Sequence, residues 1–209
     1  MNLSAPQSVV MSETEGVVLK LLSRVTVSLS GREVARLGGA PKTSVSRALK
    51  RLVEHGLVEA RSAGSGVVTL YTFNRDHLAA EPVLALLELR RALVQRLERE
   101  FQSWQILPCH ASLFGSGARG DGGTDSDIDI LVVRPAGIDA EVPTWRQQVF
   151  GLQGQVLRWT GNHAGIAEVS IEELDRLRRE RPPIVVELER DGVTLFGAEV
   201  RRLLSREPA

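Results

Sequence analysis

Leu113-Phe114-Gly115-Ser116-Gly117-Ala118-Arg119-Gly120, then Asp121-Gly122-Gly123-Thr124-Asp125-Ser126, then Asp127-Ile128-Asp129-Ile130-Leu131-Val132-Val133 is the stretch that decides the reading of this chain. Gly115-Ser116 follows a short apolar run and precedes a helix start. Glycine lets a backbone approach a phosphate closely, and exposed amides with a hydroxyl can bind phosphate oxygens. The second part reads as a strand, so alternation puts Asp127 and Asp129 on one face and Ile128, Ile130 and Val132 on the other. Two adjacent carboxylates repel unless a cation lies between them, and hard oxygen ligands of this kind suit Mg²⁺ (or Mn²⁺). An isolated Asp-x-Asp also describes two solvated acids at a strand start. The glycine-serine turn about a dozen residues upstream argues for the phosphate reading.

The whole segment resembles the signature of the DNA polymerase β-type nucleotidyltransferase superfamily, in the form carried by the minimal nucleotidyltransferases. That form is Gly-Ser-x-Ala-Arg-Gly, a spacer, Ser-Asp-x-Asp and an apolar strand, and every position is matched between Gly115 and Asp129. The resemblance covers about residues 105–200. It implies that Gly115 and Ser116 hold the phosphates of a nucleoside triphosphate, ATP in the first instance, with Arg119 and Ser126 beside them. It implies that Asp127 and Asp129 bind metal. A third carboxylate is expected on a later strand, and Glu168, in the run 165–170, is the candidate metal ligand or proton acceptor. An exposed strand acid is the competing description of Glu168. Arg119 can contact phosphate or pair with Asp121 or Asp125. His110 and His163 share no metal-ligand spacing and read as structural or surface residues.

Around this segment the pattern is mixed α/β. Strands are expected at 111–114, 127–133, 166–169 and 193–196. Helices are expected at 145–159 and 171–179, and 184–188 reads as helix or turn. Upstream, one helix is expected over 82–104, with a continuous stripe of Leu86, Leu89, Leu93, Leu97 and Phe101. It links the two halves, and its stripe either packs on the chain's own two domains or supports a homodimer.

The first half has a different pattern. A helix is expected at 13–23, and Ser30 with Glu33 forms a capping box for a helix at 31–37. A turn at 38–41 leads to a helix at 42–55, stopped by Gly56. Two β runs follow, 57–61 and 67–73, joined by a hairpin tip at 63–66. Residues 28–58 resemble a winged helix-turn-helix, with 42–55 as recognition helix and the tip as wing. Lys42, Thr43, Ser44, Ser46, Arg47, Lys50 and Arg51, with Arg61 on the wing, are the expected contacts to duplex DNA. Winged helices also serve as protein-docking modules. No aromatic-rich face favours single-strand stacking.

Charge supports a division of labour. The 209 residues are neutral overall, yet residues 1–75 hold 10 Lys+Arg against 5 Asp+Glu, and residues 76–209 hold 16 against 21. Composition is that of a globular protein, 43% hydrophobic and 25% charged. No apolar run reaches membrane-spanning length and the first residues lack a signal-peptide pattern, so a cytoplasmic location without membrane contact is the default. Cys109 stands alone, which excludes an internal disulfide and a cysteine-built metal site.

The expected architecture is therefore α/β (α+β): a winged helix-turn-helix at 1–76, a linking helix at 77–104 and a nucleotidyltransferase domain at 105–209 with a small mixed sheet flanked by helices. Three functions fit. One is Mg-dependent transfer of a nucleoside monophosphate to a hydroxyl on a protein or small-molecule acceptor. Another is a transcription regulator that senses a nucleotide without turnover. The third is an antitoxin-type enzyme that modifies a protein partner, which the resemblance alone suggests.

Overall fold

The computed structural model describes residues 1–63 and 68–205. Two compact units are present, one of residues 5–89 and one of residues 1–4 with 90–209. Together the described residues form ten α-helices and two small sheets.

In the first unit a 3-10 turn, Pro6–Val9, precedes helices α1 (Glu13–Arg24), α2 (Gly31–Gly38), α3 (Lys42–Glu54) and α4 (Ala80–Leu87). Strands β1 (Leu29–Ser30), β2 (Val58–Ala63) and β3 (Val68–Phe73) pair antiparallel in the order β1-β3-β2. This is the winged helix-turn-helix layout. Ser12 with Glu15, and Ser30 with Glu33, close reciprocal capping boxes on α1 and α2. Gly39, at φ 63°, ends α2 in the left-handed conformation that glycine adopts without steric cost. Val18, Leu22, Val34, Val45, Leu49 and Phe73 are among the residues of the core. The expected wing tip at 64–66 lies outside the described residues.

The expected single helix over 82–104 is two helices. α4 stops at Leu87 and α5 (Leu89–Gln102) begins after Glu88, whose amide bonds to Ala85 O at 3.2 Å. Helical spacing runs through the break, but two cores claim its halves. Leu87 packs in the core of the first unit, whereas Leu93, Leu97 and Phe101 pack in that of the second. The chain thus divides at 89/90, not at 76/77 and 104/105, and residues 1–4 belong with the second unit.

The second unit continues with β4 (His110–Phe114), α6 (Gly115–Arg119), β5 (Ile128–Val133), α7 (Pro143–Thr160), β6 (Ala164–Val169), α8 (Ile171–Glu180), α9 (Pro183–Asp191), β7 (Val193–Gly197) and α10 (Val200–Ser205). The sheet order is β6-β5-β4-β7, with β5 and β6 parallel and the other pairs antiparallel. The segment at 184–188 is helical, inside α9, which Pro183 opens at a first-turn position where its missing N–H costs nothing. Both sheet faces are covered. Ile128, Ile130 and Val132 pack with Phe101, Trp145 and Val156, while Leu131 and Val133 pack with Leu174, Val185 and Leu188.

Candidate functional site

The connection from β4 into α6 places a tight turn beside β5. Phe114 pairs with Asp129 across β4 and β5, so Gly115 lies against the Asp129 side chain. Gly115 is buried, with φ 63°, and a Cβ there would lie 2.5 Å from Asp129 Oδ2. On the other flank Gly165 pairs with Asp129, and a Cβ on it would lie 2.9 Å from Oδ1. Two missing side chains therefore make room for one carboxylate. Glycine serves the turn twice, since a larger residue would be strained in φ and would displace Asp129.

Asp127 precedes β5 and is exposed, while Asp129 is half-buried. Burial pushes the Asp129 carboxyl above its ordinary range, and the charges of Asp127 and Glu187 push the same way, against a smaller opposing pull from Arg119. The site thus holds negative charge at a desolvated position, which a bound cation would relieve. Among the described residues no group of three or more His, Cys, Asp or Glu is arranged to hold a metal ion. The pair of aspartates still suits a hard cation that takes its remaining ligands from phosphate and water. The glycine-lined space around Asp129 fits that reading.

Ser116 caps the turn from within. Its carbonyl accepts the amides of Gly120 at 2.8 Å and Asp121 at 3.2 Å, and a Cβ on Gly122 would lie 2.8 Å from its hydroxyl. Ser126, expected beside the nucleotide, sits in the spacer. Its hydroxyl accepts the Gly123 amide at 3.0 Å and closes a turn in the spacer. Arg119 takes the internal pairing, its Nε donating to Asp121 at 3.0 Å. That bond is the main reason its guanidinium holds its proton more firmly than usual, with Asp191 and Glu187 adding to it.

Glu168 does not join the aspartates. Its register partner is Val132, so it shares the face of Ile128 and Ile130, opposite to Asp129. There it accepts Trp145 Nε1 at 2.8 Å and pairs with Arg134. The β6 positions on the face of Asp129 are Gly165, Ala167 and Val169, which carry no acid. Alternation correctly sets Glu168 opposite Ala167 and Val169, but it says nothing about which face belongs to Asp129. The acid whose charge reaches both Asp129 and Arg119 is Glu187 on α9, distant in sequence and embedded in an apolar run.

Two further residues shape the site. Arg90 donates from Nε to Gly117 O at 3.2 Å and from Nη2 to Ala118 O, satisfying carbonyls at the end of α6. Asn162, 2% exposed, donates from Nδ2 to Gly123 O, Thr124 O and Ser126 O at 3.3, 3.1 and 2.9 Å. The spacer is also held by Leu3, whose amide donates to Gly122 O at 2.8 Å. None of these partners is close in sequence. His163 is exposed, and its carbonyl accepts Ile128 N at 2.8 Å. His110 is fully buried in β4, and burial lowers its pKa to about 4.

On the first unit, α3 buries Val45, Ala48, Leu49 and Leu52 and turns Lys42, Thr43, Ser46, Arg47, Lys50 and Arg51 outward, with Ser44 half-buried. The basic residues are not equally free. Arg51 pairs with Glu15, which is 5% exposed. Burial alone would raise the Glu15 carboxyl, but hydrogen bonds from Ser12 and the Arg51 contact outweigh it and hold it low. Lys50 pairs with Glu54 at 3.9 Å and Arg61 with Glu59 at 2.9 Å, both at the surface, where such pairs yield readily to a stronger anion. Lys42 and Arg47 have no ion-pair partner among the described residues.

The profile of the family described as "Nucleotidyltransferase domain" matches residues 92–196. That of the MarR family matches residues 12–66. No curated protein matches the chain.

Proposed function

Because the chain belongs to the nucleotidyltransferase family and carries a MarR-type DNA-binding domain, we propose that Gly115, Ser116, Asp127 and Asp129 form a site for a nucleoside triphosphate from which a nucleoside monophosphate passes to a hydroxyl acceptor. The observation that carries this reading is the Asp129 carboxylate set between the backbones of Gly115 and Gly165, with its charge opposed by burial and by Asp127. Backbone N–H groups of the Gly115-Ser116 turn and the Ser116 hydroxyl would bind the β and γ phosphates. Asp127 and Asp129 would hold a divalent cation, Mg²⁺ or Mn²⁺, which neutralises phosphate charge when bound.

In the transfer an acceptor oxygen forms a bond to the α-phosphorus, the bond to the bridging oxygen of pyrophosphate breaks, and the hydroxyl proton leaves to a nearby base. Glu187, whose charge acts on Asp129, would influence that proton, whereas Glu168 is committed to Arg134 and Trp145. Positioning and charge stabilisation supply most of the rate in such chemistry. Lys42, Thr43, Ser46 and Arg47 on α3 would contact duplex DNA. The test is transfer of label from a labelled nucleoside triphosphate, ATP first, with Mg²⁺ and candidate acceptors. Transfer that is lost in both Asp127→Ala and Asp129→Ala supports the assignment, and transfer that survives both refutes it.

A second reading is a nucleotide-responsive regulator that binds without turnover. The observation favouring it is that Gly165 and Ala167, the β6 positions beside Asp129, bring no third carboxylate. DNA binding that shifts with ATP while no pyrophosphate is released would establish it.

A further inference from the structure

Helices α5 and α7 border a cavity of about 730 Å³ lined by Arg96, Arg99, Glu100, Gln155, Arg158 and Trp159. Its volume lies in the range of ligand sites, about 300–1,000 Å³. The Arg96 guanidinium is held over the Trp159 ring, 4.5 Å from its centroid. Arg99 donates from Nε to the Gln95 carbonyl at 3.2 Å. None of the three arginines has an ion-pair partner among the described residues. They gather in a half of the chain where acids outnumber bases, 21 to 16. Other arginines of this unit, such as Arg134, Arg146 and Arg178, are paired.

The remaining polar lining has the opposite chemistry. Gln155 Oε1 is closed to solvent and without a hydrogen-bond partner among the described residues, so its side chain must turn before a ligand can reach it, and Glu100 offers acceptors only. An unpaired buried acceptor costs about 1–3 kcal/mol, which a donor on a ligand would recover. Guanidinium forks match phosphate oxygens. A bare phosphate cannot satisfy Gln155, because at neutral pH it chiefly accepts. A ligand with phosphates on one side and N–H or O–H donors on the other satisfies both sets.

We propose that the α5–α7 cavity is a second anion site that takes nucleotide units, with phosphates on Arg96, Arg99 and Arg158 and a base amino or sugar hydroxyl group on Gln155 and Glu100. The site lies on the helical layer that covers the face of Ile128, Ile130 and Val132, while Asp129 lies on the opposite face. It is independent of the transfer reaction proposed above. The nucleotide units come either from a nucleic-acid strand or from a free nucleotide.

The test is an anisotropy titration of the full chain with a fluorescein-labelled single-stranded oligonucleotide, over about 50–200 mM salt. Lys42→Ala and Arg47→Ala are included throughout, to weaken binding by the winged helix. Replacing Arg96, Arg99 and Arg158 by Gln removes three phosphate contacts. The slope of log K against log salt should then become shallower by about 2, at about 0.7 per single-strand phosphate. Gln155→Leu should weaken binding several-fold with the slope unchanged. An unaltered affinity and slope in the triple variant overturns the proposal. Equal competition by tripolyphosphate, with no effect of Gln155→Leu, overturns its nucleotide part. Displacement of the oligonucleotide by AMP at matched phosphate concentration assigns the site to free nucleotides, and failure of AMP to displace assigns it to a strand. Circular dichroism confirms that each variant is folded.

Discussion

Gly115→Ala tests the glycine-lined space around Asp129. The residue has φ 63°, where an L side chain costs about 1–2 kcal/mol through its Cβ. That Cβ would stand 2.5 Å from Asp129 Oδ2, while a carbon rests no closer than about 3.3 Å to an oxygen. The carboxylate must therefore retreat by roughly 0.8 Å. The space left by Gly165 is already used by Oδ1, so the side chain leaves its rotamer at a further cost of about 0.5–1.5 kcal/mol. The expected destabilisation is about 2–3 kcal/mol, a large part of the ordinary 5–15 kcal/mol. Urea unfolding at neutral pH in EDTA measures it. Gly123→Ala is the control, because a Cβ there meets nothing within 4 Å and its φ is not in the left-handed range. A loss in Gly115→Ala of less than about 0.5 kcal/mol, the scale of an indifferent surface change, would refute the reasoning.

Four other outcomes follow from the same geometry. Asp129→Asn should be more stable than the parent at neutral pH in EDTA. The raised Asp129 carboxyl makes the native state bind more protons than the unfolded state above the ordinary value of 3.8, so its destabilising effect sets in as pH rises and disappears below that value. Melting with and without Mg²⁺ reads this, and a parent stabilised no more by Mg²⁺ than the variant would count against a cation at Asp129. His110 titrates at about 4 folded and 6.5 unfolded, so acidification from 6.5 to 4 should remove about 3 kcal/mol. A His110→Phe protein whose stability falls as steeply over that window would disprove the assignment. Glu168→Gln should cost about 2–3 kcal/mol by leaving Arg134 without a counter-charge, yet transfer should persist when measured well below the melting point; complete loss of transfer in folded protein would restore Glu168 as a catalytic acid. Arg90→Ala should raise KM for the nucleotide more than it lowers kcat, because it frees the carbonyls of Gly117 and Ala118 that steady the turn; an unchanged KM would remove Arg90 from the site.

Local signals were readable where the partners lie within a few residues. Ser30 and Glu33 announce their helix because the capping box is written within four positions. Asp127 and Asp129 are readable as a pair because they are two residues apart, although Asp127 lies just before β5, where strand alternation does not set its direction. What failed depended on which surface a residue meets. Leu86, Leu89 and Leu93 keep helical spacing whether one core or two receive them, so the break at Glu88 leaves no mark in the periodicity. Glu168 is on the wrong face because the register of β6 on β5, with Val132 opposite it, is not encoded in β6 alone. Glu187 and Arg90 reach the site from helices whose own patterns give only an apolar or amphipathic face, and Asn162 from the turn between α7 and β6. Arg51 looks like its neighbours on α3 until Glu15, from another helix, claims it.

The discontinuity of the second unit bears on how the molecule can be dissected. Leu3 is 2% exposed within that unit's core, and its amide supports Gly122 in the spacer between Ser116 and Asp127. A fragment starting at residue 90 would give up the burial of a leucine, about 2 kcal/mol, and unfasten the loop that leads into the aspartates. An excision that joins residue 4 to residue 90 through a short flexible linker would keep both. In the linear map the winged helix is an inserted cassette, not an appended head, so loss of activity on simple N-terminal truncation would say nothing about whether DNA binding is needed for transfer.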